Sequence, residues 1–447
     1  MLLEFKTKNY KSFVEEASFS MVAAPKQKGL DYSLMKTKIK GKEIKGLSSS
    51  VIYGPNAAGK TNIIGAMDVL RAIVLRGNIR NSEEKSSPNP AAAALELIPN
   101  NNEMESKPVC FEIEFYEEDG EEHKFKIHYE LQIDLGTFLE EEYQRKILAE
   151  VLEVNGERVF ERTQDLKIEN LKVIKDYLSD ITEQNADSVN EIAKNSLNQE
   201  ELFLTNGFKL IFSPKFTKLI VDWFTNKFMV IYRADSMQLI KRFADPKKKA
   251  IYVEKTTDEA AKLFGINSNA VGYVVSDDEP DAKLYSVFKN MKNKKTTAVA
   301  ADIFESYGTI RFINMFPLVI KAMQTGGILV VDEFDASIHP MALMSIINVF
   351  HNDDVNIHHA QLVFNTHNPI FLNSNLFRRD EIKFVERDDD THDSVLYALS
   401  DFGTTGDKGV RKHEDYMSKY FISQYGAIKD IDFTPIFEEI LCDEKEE

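Results

Sequence analysis

The chain has 447 residues, of which 43% are hydrophobic and 28% are charged, and its formal net charge is −17. This length exceeds one common domain, so we expect two or more lobes or one domain with large insertions. The negative charge argues against a wholly basic nucleic-acid-binding surface, because phosphate neutralisation requires clustered Lys and Arg. No long apolar run and no secretory pattern is present in the sequence, which predicts a cytoplasmic protein without a membrane span.

The first predicted elements are strands. Alternating apolar residues over 2–22 predict a β-hairpin, and the lysine-rich residues 23–47 are predicted to be a loop. Residues 50–53 then form a predicted strand, which leads into a glycine-bounded loop.

This loop, from Gly54 to Thr61, fits the pattern Gly-x4-Gly-Lys-Thr. Glycines let the backbone N–H groups turn toward phosphates, the lysine neutralises the β and γ oxygens, and the hydroxyl ligates Mg²⁺. A strand before the loop and helical apolar spacing after it support this interpretation over a chance glycine-rich turn. The predicted phosphate-binding residues are Gly54, Pro55, Asn56, Gly59, Lys60, Thr61 and Asn62.

The middle of the chain changes character several times. Residues 77–108 are rich in Asn, Ser, Pro and Glu, which predicts a mobile excursion. Residues 109–162 alternate with a period of two around an Asn155-Gly156 turn, so we expect an antiparallel sheet. Residues 163–300 are predicted to be mainly helical.

Two further strands in the last third end in polar side chains. The apolar run Ile328–Val331 is followed by Asp332 and Glu333. Asp332 is expected to hold Mg²⁺ through water, and Glu333 to orient and deprotonate an attacking water. The competing interpretation is a strand that ends in solvated acids. A second apolar strand delivers His367, which can donate a hydrogen bond to a γ-phosphate if it is not simply structural.

A small-residue turn, Ser306-Tyr307-Gly308-Thr309, precedes an apolar helix that we expect Pro317 to interrupt. Such a turn is an anion site when backbone amides and the helix dipole face a phosphate. Lysine patches at 246–249 and 289–295 are interpreted as solvated loops rather than contacts to a nucleic-acid backbone.

The order of these motifs resembles that of ABC-type ATPases of the chromosome-maintenance and recombination class. The stretches 332–340, 364–368, 379–385 and 419–428 more closely resemble the RloA and abortive-infection family. The similarity extends from Phe5 to about Ile428 and is weakest through 163–300. It implies an α/β fold in which an ABC-type ATPase head, a mixed sheet with flanking helices plus an antiparallel β-subdomain, carries an inserted helical lobe.

The resemblance also implies ATP as ligand, Mg²⁺ as cofactor, and a head-to-tail homodimer or higher homo-oligomer with shared sites. In this arrangement Ser306 and Gly308 reach the γ-phosphate of the other subunit, and Asp335 couples the two sites. The implied catalytic residues are Lys60, Glu333 and His367, and the implied metal-supporting residues are Thr61 and Asp332. We expect an N-terminal ATPase lobe at 1–162, the helical insertion at 163–300, a C-terminal ATPase lobe at 301–400 and an extension at 401–447.

Members of that family are associated with bacterial defence against phage and act with a separate nuclease, often of TOPRIM type. Arg387 and His392 fit an Arg-x4-His ribonuclease pattern but lie in a predicted turn, so we expect the nuclease to be another chain. The leading hypothesis is a sensor and scaffold ATPase that holds or releases this effector, with a phage protein as trigger. The alternatives are a DNA-binding repair or chromosome-maintenance ATPase and a hexameric AAA-type remodeller. The latter conflicts with the long separation of Lys60 from Asp332 and with the lack of an evident arginine finger.

Overall fold

A computed structural model gives the structure of the chain. It describes residues 1–443 except positions 26, 28, 40, 82–94, 103–104, 121–122, 139, 141–142, 180–185, 233–254, 267, 275–282, 291, 293–294, 405–408 and 412. Part of the expected excursion at 77–108, namely residues 82–94 and 103–104, lies outside the described residues, and the lysine patch at 246–249 lies wholly outside them.

The described strands are β1 (Leu2–Lys8), β2 (Ala17–Ser20), β3 (Leu34–Ile39), β4 (Lys42–Leu47), β5 (Ser49–Tyr53), β6 (Val109–Asp119), β7 (His123–Asp134), β8 (Lys146–Val154), β9 (Glu157–Arg162), β10 (Leu166–Ile168), β11 (Phe228–Ile231), β12 (Ala270–Val274), β13 (Lys283–Lys289), β14 (Thr296–Ala300), β15 (Ile328–Val331), β16 (Gln361–Asn365), β17 (Ile382–Arg387) and β18 (Ser394–Ala398). The described α-helices are α1 (Lys60–Arg76), α2 (Ala186–Asn195), α3 (Lys209–Ile211), α4 (Pro214–Asp222), α5 (Lys255–Phe264), α6 (Ala301–Phe304), α7 (Tyr307–Thr325), α8 (Pro340–Phe350), α9 (Tyr416–Phe421) and α10 (Thr434–Asp443).

A six-stranded sheet of order β11-β15-β16-β5-β17-β18 forms the centre of the molecule. The strands from β11 to β17 are parallel, and β18 is antiparallel to β17. Every residue of β5, β15 and β16 is buried, because other elements cover both faces of the sheet. Ile52 packs on the α1 side and Val51 on the side of α7 and α8. Since the carboxyl ends of β5, β15 and β16 are adjacent, the loops that follow them meet at one edge.

A seven-stranded sheet of order β10-β9-β8-β7-β6-β1-β2 covers α1. All its neighbouring strands pair antiparallel, which agrees with the alternation over 109–162 and with the hairpin predicted for 2–22. Asn155 and Gly156 adopt the positive φ angles, 56° and 79°, that the predicted tight turn requires. The side chain of Gln361 on β16 joins the two sheets, since its Oε1 accepts from the Leu2 N–H at 2.6 Å.

The prediction of a loop over residues 23–47 is wrong for the second half of this range. Residues 34–47 form the hairpin β3–β4, whose apolar side chains Met35 and Ile39 pack against Met1, Leu3 and Tyr116. The lysines at every second position of β3 hid this alternation, because lysine is depleted in strands and typical of loops.

The mainly helical lobe predicted for residues 163–300 also needs correction. The segment contains helices and π-helical turns, but it also contributes β10 to the large sheet, β11 to the central sheet and the three-stranded sheet β12-β13-β14. A four-residue apolar run such as β11 cannot be distinguished from a buried helical segment by periodicity alone. Residues 163–300 are therefore not a single helical insertion.

Helix α7 continues through Pro317, contrary to the interruption expected there. Among the described residues, no helix is both long enough and apolar enough to cross a membrane.

Candidate nucleotide-binding site

The loop between β5 and α1 depends on two glycines with positive φ, Gly54 at 155° and Gly59 at 110°. A Cβ atom on Gly54 would lie 2.2 Å from the carbonyl oxygen of Val385. A Cβ atom on Gly59 would lie 2.7 Å from the Ser394 hydroxyl and 2.8 Å from that of Ser12. A side chain at Gly54 would require β17 to move, and one at Gly59 would displace two serine hydroxyls and strain a backbone with positive φ, so both positions favour glycine.

Lys60 lies inside this loop and is only 5% exposed. Its Nζ donates hydrogen bonds to the carbonyl oxygens of Gly54, at 2.8 Å, and Pro55, at 2.9 Å. Burial lowers the pKa of Lys60 to about 8, although the carboxylates of Asp332, Glu333 and Asp335 act in the opposite direction. The amine is thus held by two backbone carbonyl oxygens of the loop, where a nearby anion would favour its charged form.

The first hydroxyl of α1 contacts the carboxylate that follows β15. Thr61 Oγ1 donates to Asp332 Oδ1 at 3.0 Å, and Asn365 Nδ2 donates to the same oxygen at 2.6 Å. Asp332 is 4% exposed. A hydroxyl and a carboxylate at this distance fit the way Mg²⁺ is held in nucleotide sites, where phosphate oxygens and water complete its octahedron. The described residues contain no group of three or more His, Cys, Asp or Glu side chains that could hold a metal ion.

Glu333 is exposed beside this pair and has a positive φ of 50°, which is uncommon for a residue other than glycine. Its backbone is held from two sides. The Glu333 N–H donates to Asn365 Oδ1, and Arg311 Nη2 on α7 donates to the Glu333 carbonyl oxygen at 2.5 Å. The backbone strain therefore persists because neighbouring elements impose it, as is common at functional sites.

Asn365 and Arg311 were not identified from the sequence. Asn365 ends β16, so its position beside the Asp-Glu pair follows only once β16 is known to lie between β5 and β15. Arg311 lies one turn into α7, after the Ser306 turn, and nothing in the sequence indicates which way it points.

Thr366, the residue before His367, contacts Asp335. Thr366 Oγ1 donates to Asp335 Oδ2 at 2.6 Å and accepts from the Asn368 N–H at 2.8 Å. The His367 side chain is exposed just after β16, beside the loop at 54–61, which we call the phosphate loop. Partial desolvation by neighbouring groups lowers the pKa of His367, and the nearby charge of Lys60 lowers it further, while the carboxylates of Asp335, Glu333 and Asp332 act in the opposite direction.

Ser306 is the N-cap of α7. Its Oγ accepts from the Thr309 N–H at 3.1 Å and lies 2.8 Å from the Thr309 hydroxyl. A Cβ atom on Gly308 would lie 2.0 Å from the carbonyl oxygen of Ser337, so α7 begins in direct contact with the turn that contains Asp335. Within the described part of the chain, no hydrogen bond joins Ser306 or Gly308 to the phosphate loop of the same chain.

The side chain of Asn62, the last of the predicted phosphate-binding residues, contacts the loop between β1 and β2. Its Nδ2 donates to Ser12 Oγ at 2.8 Å. Arg387 ends β17, and His392 lies in the turn that leads to β18; Arg387 Nε donates to the His392 carbonyl oxygen at 2.7 Å. The turn predicted between these two strands is confirmed.

A cleft of about 170 Å³ opens beside the phosphate loop. Eight residues from three parts of the chain line it: Gly54, Pro55, Asn56, His367, Tyr420, Ile428, Lys429 and Ile431. Half of them belong to the C-terminal extension, a contribution that the sequence motifs did not predict.

Two solved structures resemble the chain over most of its length. The SMC head domain from Thermotoga maritima is 13% identical with a TM-score of 0.34, and 89% of this chain and 98% of that chain are covered. The SMC head crystallised with the C-winged helix domain of ScpA is 12% identical with a TM-score of 0.37, covering 89% and 97%. No curated protein matches the sequence.

A protein-family model matches residues 49–373, which is more than half of the chain, and is described as "AAA domain, putative AbiEii toxin, Type IV TA system". The matched range contains the phosphate loop, the Ser306 turn, the Asp332-Glu333 pair and His367. The chain belongs to this family of AAA domains.

Proposed function

We propose that the protein is a Mg²⁺-dependent ATPase whose active site is completed by a second copy of the chain. The observation that carries this proposal is the hydrogen-bonded set Thr61, Asp332, Asn365 and Glu333, which lies at the edge of the central sheet beside the buried Lys60. Membership of the AAA-domain family supports the assignment to ATPases.

In this proposal Gly54, Pro55, Asn56 and Gly59 present backbone N–H groups to the β- and γ-phosphates, and the Lys60 ammonium lies between them. Thr61 and Asp332 would hold Mg²⁺, which would supply positive charge to the phosphate oxygens. Asn365 keeps Asp332 in place, since it donates to the carboxylate oxygen that Thr61 also contacts.

Glu333 accepts a proton from water as the water oxygen attacks the γ-phosphorus. The bond from that phosphorus to the β–γ bridging oxygen breaks, so ADP leaves with the bonding electrons and phosphate is formed. His367 donates a hydrogen bond to a γ-phosphate oxygen. Arg311 acts only as a positioning residue here, because it contacts the backbone carbonyl of Glu333.

The shared site is supported by the surface around the Ser306 turn. Ser306 itself is exposed, and so are the large apolar side chains beside it in the chain: Ile303 is 74% exposed, Phe304 is 49% exposed and Tyr307 is 53% exposed. An apolar surface of this kind typically indicates an interaction site. We propose that a second copy covers it and that Ser306 and Gly308 thereby reach the partner's γ-phosphate.

The catalytic roles are tested by two substitutions measured side by side. Lys60→Ala should abolish ATP binding, because the loop loses its cation. Glu333→Gln should retain ATP binding and hydrolyse about 100- to 10,000-fold more slowly, the range typical of losing a general base. Equal loss of binding in both variants would overturn the assigned roles.

We further propose that the ATPase is a sensor and scaffold subunit of an anti-phage, abortive-infection system of the RloA kind. Dimer closure would hold or release a separate nuclease effector, of TOPRIM type, in response to a phage protein. The support is the motif resemblance together with a family description that names a toxin of a toxin–antitoxin system.

This role is tested by copurification with the product of a neighbouring gene, using wild-type and Glu333→Gln protein. A nucleotide-dependent complex is expected. A protein that stays alone, with no effector dependence in phage challenge, would contradict the role. Hydrolysis that is stimulated by DNA and falls steeply with salt would instead favour the alternative of a repair or chromosome-maintenance ATPase.

A further inference from the structure

The C-terminal extension forms one wall of the cleft beside the phosphate loop. Four residues of the extension, Tyr420, Ile428, Lys429 and Ile431, line this cleft together with Gly54, Pro55, Asn56 and His367. These extension residues lie outside the range 49–373 that the family model matches. Lys429 is the one residue with a permanent charge among the eight that line this cleft.

This wall is anchored on the same strands that carry the phosphate loop. The Tyr420 ring packs against Tyr53, the last residue of β5, and against Phe384 of β17, with ring centroids 6.0 Å and 5.9 Å apart. Residues 421–428 then turn back toward the loop. Tyr420 donates its hydroxyl proton to the Ala427 carbonyl oxygen at 2.8 Å, which fixes the turn.

A second hydroxyl holds the turn from the central sheet, since Tyr397 on β18 donates to the Tyr425 carbonyl oxygen at 2.7 Å. Tyr425 itself is only 1% exposed. The backbone that leads to Lys429 is thus held by aromatic packing and by two hydrogen bonds. Such support is what a side chain that must reach a fixed ligand requires.

The present partner of Lys429 is weakly bound. Its Nζ contacts Asp389 Oδ1 at 2.5 Å, but the two side chains are 52% and 78% exposed. Exposed ion pairs contribute little to stability, whereas a charge-assisted bond from ammonium to phosphate is stronger. Lys429 can therefore exchange Asp389 for a phosphate when nucleotide enters the cleft.

We propose that Lys429 contacts the terminal phosphate of ATP bound in the same chain, so that the C-terminal extension distinguishes ATP from ADP. This inference rests on the proposed ATPase function. It assigns residues 420–431 a direct part in nucleotide recognition and makes Lys429 a second cation at the phosphates, in addition to Lys60.

The test compares Lys429→Gln with Lys419→Gln, which removes the same charge from the same extension. Lys419 pairs with Glu414 and does not line the cleft, so it is a matched control. Dissociation constants for Mg·ATP and Mg·ADP are measured by calorimetry for each variant. Lys429→Gln should weaken ATP binding about 10- to 100-fold, the effect typical of a lost charged hydrogen bond, and ADP binding by less than about 3-fold. The control should leave both unchanged.

A second arm repeats the comparison in a Ser306→Arg background, in which closure with a second copy is blocked. The selective loss of ATP affinity should persist there, because the proposed contact lies within one chain. Loss of the effect in this background would mean that Lys429 acts on the partner copy and would overturn the inference, as would equal weakening of ATP and ADP.

Different results would contradict the proposed ATPase function and the proposed role of the extension. If wild-type protein does not bind ATP, or if Lys60→Ala binds as well as wild type, the proposed function itself is wrong. If those measurements behave as proposed and Lys429→Gln keeps the wild-type preference for ATP over ADP, only the role of the extension is wrong.

Discussion

The burial of Lys60 in the phosphate loop predicts that the affinity for ATP depends on pH. In the free protein its pKa is lowered to about 8 by burial. Bound phosphates favour the charged ammonium and raise this pKa, so ATP binding takes up a proton when the pH is near or above it. The ATP affinity should be full below about pH 8 and should fall above it, by up to about tenfold per pH unit for a single proton.

Calorimetric titrations at several pH values, in buffers of different ionisation enthalpy, measure both the affinity and the proton uptake. Lys60→Arg is the control, because a guanidinium stays charged throughout this range and its weaker binding should not vary with pH. A wild-type affinity that stays flat from about pH 7 to about pH 9.5 would contradict the lowered pKa.

Asn365 gives a second prediction at this scale, since its side chain contacts both Asp332 and the Glu333 backbone. Asn365→Leu keeps the approximate volume and removes both hydrogen bonds. We expect ATP turnover to fall about 10- to 100-fold, as is typical when a residue that orients a metal-supporting group is lost. Asn373→Leu makes the same change at an exposed position and should hydrolyse normally. An unchanged turnover in Asn365→Leu would show that Asp332 and Glu333 do not depend on this amide.

At the scale of elements, the start of α7 packs directly against the turn at 335–337. They touch at Gly308, where an added methyl would lie 2.0 Å from the Ser337 carbonyl oxygen. Gly308→Ala should push the two apart and reduce hydrolysis at least about 10-fold, while ATP binding to the phosphate loop should change little.

Gly120→Ala serves as the control for that change. Gly120 has a φ of 73° and open space around it, so a methyl there strains the backbone without contacting another element. It should lower the melting temperature and leave turnover per folded molecule intact. Equal turnover losses in the two variants would mean that general destabilisation, rather than the contact with Ser337, accounts for the effect.

Some elements could be predicted from short stretches of the sequence alone. The glycines and Lys60 identified the β5–α1 loop, and the apolar runs that end in Asp332 and His367 identified β15 and β16, because their chemistry lies in consecutive residues. The large sheet was also predictable, since its strands alternate over long stretches and are neighbours in sequence. Predicting these features requires no knowledge of which distant segments pack together.

Other parts depend on contacts between distant segments. Strand β11 joins the central sheet far from β5 in sequence, and its four apolar residues carry no diagnostic period. The roles of Asn365 and Arg311 follow from strand order and helix orientation. The cleft wall at 420–431 follows from the packing of Tyr420 on Tyr53, which no motif encodes.

At the scale of the whole molecule, the exposed surface around the Ser306 turn predicts nucleotide-dependent association. Glu333→Gln protein with ATP should form a dimer that is detected by sedimentation velocity, because slow hydrolysis keeps both sites occupied. With ADP the same protein should return to monomer. Tyr307→Asp, which places a charge on this apolar surface, should weaken the dimer by about tenfold or more. Association that is independent of nucleotide would contradict this arrangement.

The shared active site is tested most directly by the rate of ATP hydrolysis by Ser306→Arg protein, measured together with its affinity for ATP. Ser306 makes no hydrogen bond to the phosphate loop of its own chain in the described structure, so ATP should bind with wild-type affinity. Hydrolysis should fall at least about 100-fold, because the bulky side chain keeps the second copy from completing the site. Wild-type turnover by Ser306→Arg protein would show that one chain hydrolyses ATP alone and would contradict the shared site.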